Sequence, residues 1–98
     1  MASREDWVEQ TREKVDEWDQ IVDELEDRVS SVSGDIRAVY REQLAAARQH
    51  LGEARTQLMR IEETSRDSWA DLKEDVTATW DTTRSAMERS LEDLKKLS

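Results

Sequence analysis

The feature that most constrains this chain is the spacing of its apolar residues. From Trp18 they fall at Val22, Leu25, Val29, Val32, Ile36, Tyr40, Leu44, Ala47, Leu51, Ala54, Leu58 and Ile61, always three or four positions apart. Trp7 and Val15 precede them, and a second run follows at Trp69, Leu72, Val76, Trp80, Thr83, Met87, Leu91 and Leu94. Steps of three and four trace one face of an α-helix, whereas a half-buried strand alternates every second residue. An eleven-residue offset links Trp7, Trp18, Val29, Tyr40 and Leu51, and again Trp69, Trp80 and Leu91. A period near 3.67 keeps helices nearly straight.

Composition settles whether such a stripe is ordered. Charged residues make up 40% of the 98, proline is absent and there are only two glycines. High charge with few aromatics is also found in disordered chains, but those lack sustained periodicity. The sequence therefore predicts an all-α fold, an antiparallel coiled coil or bundle forming a single domain over residues 1–98. The seam is expected at Trp7, Trp18, Leu25, Val29, Ile36, Tyr40, Leu44, Leu51, Leu58, Trp69, Leu72, Val76, Trp80, Met87, Leu91 and Leu94.

Two stretches interrupt the pattern. Between Ile61 and Trp69 the large residues vanish, and Thr64-Ser65-Arg66-Asp67 resembles a capping box, so a turn is expected there. Ser30-Ser31-Val32-Ser33-Gly34-Asp35 is poor in helix formers. Yet the stripe crosses it at Val29, Val32 and Ile36 without a phase slip. A loop has no need to keep phase, so the expectation is one long helix over about 4–62, with 30–35 as its weak point. A second helix follows over about 66–96.

Charge gives the register. Residues 1–33 sum to −7, residues 34–64 to zero with five arginines as the only bases, and residues 65–98 to −2. An acidic first third beside an arginine-bearing middle suggests antiparallel packing. Arg41 with Asp23, Arg48 with Asp16 and Arg55 with Glu9 have positions that add to 64, and apolar pairs such as Leu25 with Tyr40 add to 65. The centre lies at residue 32. Two arrangements satisfy this register: a two-fold dimer of long helices, or a monomeric three-helix bundle folded back near Gly34. The thin core favours the homodimer.

No pattern of residues points to chemistry. Without cysteine there is no thiolate site. His50 stands alone, and Ala47 occupies the place where a Glu-x-x-His metal motif needs its acid. Catalytic, cofactor and metal residues are therefore expected to be none, and the chain is read as no enzyme. A net charge of −9 opposes direct nucleic-acid binding through phosphates and docking on anionic lipid. Leu44–Ala47, the longest small-apolar run, is far short of the ~20 residues of a membrane span. No secretory leader is visible, so a cytoplasmic location is expected.

Asp16-Glu17-Trp18-Asp19-x-Ile21-x-x-Glu24-Leu25 and Asp67-Ser68-Trp69-Ala70-Asp71-Leu72-Lys73-x-x-Val76-x-x-x-Trp80 resemble small bacterial coiled-coil proteins, many of them described as stress-response or uncharacterised. In those proteins a long helix, a polar break and a second helix opening on Trp-x-x-Leu-Lys follow one another. Here Glu74-Asp75 stands where that family commonly has Ala-Gly, and Ser33-Gly34 interrupts a stretch usually rich in Ala and Lys. The resemblance implies a non-enzymatic role. The functional expectation is a self-associating helical interaction or scaffold protein. The alternative is an acidic decoy or inhibitor of a basic, nucleic-acid-binding protein, through Glu5 to Asp27. Lipid-surface binding by residues 65–98 ranks third.

Overall fold

Three helices account for nearly all of residues 3–97, the part of the chain that the computed structural model describes. They are α1 (Arg4–Asp27), α2 (Gly34–Glu63) and α3 (Arg66–Leu97), joined by a short 3-10 turn at Val29–Ser31 and a two-residue link at Thr64 and Ser65. The chain folds back twice into a bundle 53 Å long and 19 Å across. Both α1 and α3 run antiparallel to α2, and parallel to each other.

The starts of α1 and α3 are set by local chemistry. Ser3 and Asp6 form a reciprocal capping box, so two backbone N–H groups that α1 cannot satisfy internally are bonded. At α3 the cap is Ser65, whose Oγ accepts from the Ser68 N–H at 3.2 Å. This is one residue later than the expected Thr64 box. The Thr64 hydroxyl instead donates to the Arg60 carbonyl. Arg4 reaches across from α1 to donate to the carbonyls of Glu62 and Thr64. There it stabilises the negative end of the α2 dipole.

The expected continuous helix over 4–62 is broken at residues 28–33, and the chain adopts the three-helix alternative. Arg28 is still near-helical, but Val32 and Ser33 both have ψ at 141°. The serines and Gly34 lower the cost of leaving the helix. Reversal lets the α1 stripe be covered by the chain's own α2. Preserved phase was a poor guide, because a reversal at the end of a bundle must also turn Val29, Val32 and Ile36 inward. Val32 is buried there, with Val29 and Ile36 packed against the same core. Arg37 closes the reversal by donating to the carbonyls of Ser30 and Val32.

The apolar stripe is the core. Of the expected seam, Trp18, Leu25, Tyr40, Leu44, Leu51, Trp69, Val76, Trp80, Met87, Leu91 and Leu94 are buried, while Trp7, Val29, Ile36, Leu58 and Leu72 are half-buried. Ala47 and Ala54 are fully enclosed, small residues in the packed layer that also holds Trp18 and Trp80.

The register charges need a correction. Arg48 and Arg55 do bridge to α1, but Arg48 pairs with Glu26 and Arg55 with Asp19 at 2.7 Å. The expected partners Asp16, Glu9 and Asp23 are exposed, as is Arg41. A third bridge joins Arg12 to Glu62 at 3.1 Å. All three pairs have positions that add to 74, well above the 64 expected. Side chains on a helix lean toward its own N-terminus. In an antiparallel pair they lean in opposite directions, so tips that meet belong to residues each displaced toward its own C-terminus. Near the reversal the Tyr40 hydroxyl donates to the Leu25 carbonyl at 2.6 Å.

Candidate interaction surface

The four tryptophans are structural. Trp7 meets Trp69 with ring centroids 6.3 Å apart, and Trp18 stacks on Trp80 at 5.5 Å. In both pairs the partners are 62 positions apart, and the pairs are eleven residues apart along each helix. The sequence carried this signal: two antiparallel registers in succession bring α1 and α3 side by side in parallel, which matches tryptophan to tryptophan. Lys14 lies over the Trp18 ring, 5.9 Å from its centroid. Trp69 and Trp80 are only 8% and 7% exposed, so α3 could place them in a lipid surface only by leaving the bundle.

One polar level crosses the core. Thr11 is 1% exposed, lies in phase between Trp7 and Val15, and its hydroxyl has no hydrogen-bond partner. The buried Gln57 Oε1 and Trp7 Nε1 are also without partners. Thr11 falls between Trp7 and Val15 on α1, and Gln57 between Ala54 and Ile61 on α2. At this level the apolar core divides into a larger cluster and a smaller one around Ile61, Trp69 and Val76. The gap between Trp7 and Val15 in the stripe was the sequence mark of this level. A buried hydroxyl without a partner costs about 1–3 kcal/mol. Thr11→Val is therefore expected to stabilise the fold by ~1 kcal/mol, raising Tm by roughly 4–8 °C for a chain of this size. A lower Tm would mean that the Thr11 hydroxyl is bonded in solution.

The remaining groups are charged and superficial. His50 Nδ1 sits 3.5 Å from a Glu53 carboxylate one turn away. No cluster of three metal-ligating side chains occurs among the described residues. A shallow depression near the α2 C-terminus is lined by Arg4, Glu5, Val8, Glu9, Arg12 and Glu62. Most of its charges already tie helices together. A backbone hydrogen bond, and then Arg66 and Arg4, hold the Glu5 carboxyl below its ordinary range. No helix among the described residues is long and apolar enough to cross a membrane.

What is distinctive lies on the outside of α1. Glu9, Asp16 and Asp23 are exposed at seven-residue intervals, with Glu13, Glu17, Glu24 and Asp27 exposed beside them. Seven residues rise about 10.5 Å, so the three carboxylates form a row roughly 21 Å long. Of the arginines expected to neutralise it, Arg48 and Arg55 are engaged ten residues further along α1, at Glu26 and Asp19, and Arg41 is exposed. Large apolar exposure is slight by comparison, confined among the described residues to Val39 and Met59 on α2. Comparison with family models, curated proteins and solved structures finds no match.

Proposed function

We propose that this chain is a non-enzymatic helical interaction module that presents the outer face of α1 to a basic protein partner. The supporting observation is the exposed row Glu9, Asp16 and Asp23, which the internal ion pairs bypass. A rigid helix holds these carboxylates at fixed spacing, which suits a helix carrying Lys or Arg at every seventh position. The apolar stripe is consumed within the bundle, so its surface has charge, rather than an open greasy seam, with which to select a partner. This favours the acidic-surface reading over lipid binding.

Each exposed ion pair contributes about 0–1 kcal/mol, so three together correspond to at most roughly 100-fold in affinity at low salt. The test uses a synthetic amphipathic helix with lysines at seven-residue intervals as the probe. The triple variant Glu9→Gln/Asp16→Asn/Asp23→Asn should lose that affinity. A control, Glu42→Gln/Glu63→Gln/Glu88→Gln, removes the same charge from exposed sites elsewhere and should retain most of it. Equal losses in the two variants would reduce the effect to net charge and sink the proposal. Raising salt should weaken the wild-type complex steeply.

A further inference from the structure

We propose that the α1 socket formed by α2 and α3 also accepts α1 from a second copy of this chain, giving a helix-exchanged dimer. The hinge is the reversal at residues 28–33, and its backbone is already close to helical. Arg28 is in the right-handed helical region, and Val29–Ser31 form a 3-10 turn. Only Val32 and Ser33 are extended. Turning their ψ angles from 141° to about −42° joins α1 and α2 into one helix of roughly 60 residues and 90 Å. No backbone feature of the hinge resists this: there is no proline in the chain, and no described residue has positive φ.

The broken ends gain from fusion. The last turn of α1 holds Glu24, Glu26 and Asp27 and no base, placing acids against the negative end of the helix dipole. At the start of α2, Ser33 makes no side-chain cap. Fusion removes both termini. The Ser30 and Val32 carbonyls, now held by Arg37, become ordinary intrahelical acceptors. Because Val29, Val32 and Ile36 keep phase across the hinge, the fused helix presents one unbroken stripe. Every α1 contact, including Trp18 on Trp80, is then remade with the partner copy. What holds the closed form is proximity, since its own α1 is tethered beside the socket. The balance therefore shifts with concentration. It also shifts with salt, because each copy carries −9. The inference is independent of the acidic row.

Ser33 provides the test, because two substitutions there push in opposite directions. Its φ of −52° and the extended residue before it suit proline, so Ser33→Pro fits the closed form and forbids the fused helix. Ser33→Ala loses no cap bond and favours helix. Each protein is unfolded, refolded at high concentration in raised salt, and its mass measured by light scattering after separation by size. The wild type should yield a species of twice 11.5 kDa that reverts slowly on dilution. Ser33→Ala should raise the dimer association constant roughly 5-fold. Ser33→Pro should lower it by more than ~100-fold while keeping the helical signal of the monomer. A Glu26→Cys/Arg48→Cys protein locates the contact: the native side chains meet at their tips between α1 and α2, so the shorter cysteines are bridged with a flexible bismaleimide rather than by direct oxidation. Bridged within the dimer fraction, it should link two chains. Monomer at all concentrations in both wild type and Ser33→Ala would overturn the proposal, as would a Ser33→Pro protein that dimerises like wild type, or links that stay within one chain.

Discussion

Trp18→Ala is expected to destabilise the bundle by ~3–5 kcal/mol. Trp18 is 2% exposed, stacks on Trp80 at 5.5 Å and lies in the same cluster as the enclosed Ala47. Its removal leaves a large void in the close-packed core, and the aromatic contact adds about 0.5–1.5 kcal/mol. A domain of this size has ~5–15 kcal/mol in total, so the variant should be unfolded in part or nearly so. Urea titration followed by circular dichroism should show the midpoint falling sharply. Trp7→Ala provides the comparison. Trp7 is half-buried and sits near the open end of the bundle, so its loss should cost clearly less. A Trp7→Ala protein as unstable as Trp18→Ala would contradict the core described above.

The second prediction concerns Tyr40, the only tyrosine, fully buried beside the hinge. Its hydroxyl donates to the Leu25 carbonyl at the end of α1, where helix carbonyls lack intrahelical partners. Tyr40→Phe should cost ~1–2 kcal/mol, because the carbonyl keeps only its bond from the Arg28 N–H. Tyr40→Ala should cost about 3–5 kcal/mol, as it also removes the ring from the core. Burial raises the phenol above its usual 10.0, and Arg28 opposes this in part. An acid with a raised folded pKa holds its proton more tightly when folded. Its contribution is thus complete below about pH 10 and is lost as pH rises past the unfolded value. The wild type should lose more stability than Tyr40→Phe between pH 9 and about 11, a difference in which the lysines common to both cancel. Tyrosinate absorbance should show Tyr40 titrating late. Identical alkaline profiles would mean that the phenol is exposed.

Much of the core was legible because helix periodicity is a local code. Trp18, Leu25, Leu44, Val76, Met87 and Leu94 were placed on the buried face by spacing alone, and all are buried. The polar level at Thr11 was missed because a threonine in an apolar phase looks like a gap. The ion pairs sit ten residues further along α1 than paired position numbers place them, in the sense in which long side chains lean, so Glu26 and Asp19 took the places assigned to Asp16 and Glu9. That displacement has a functional consequence, since it leaves Glu9, Asp16 and Asp23 exposed.

The sequence by itself determined the helices, their shared stripe and the antiparallel sense of neighbouring segments. These follow from residue spacing and from charge summed along each third of the chain, quantities that do not depend on where the chain turns. Only the tertiary structure decided that residues 28–33 reverse and that α1 lies on the same chain's α2 and α3. The fused and reversed forms bury the same side chains through the same phase. They differ only in the ψ angles of two residues, a choice to which a periodic sequence is indifferent and which packing of the whole bundle makes.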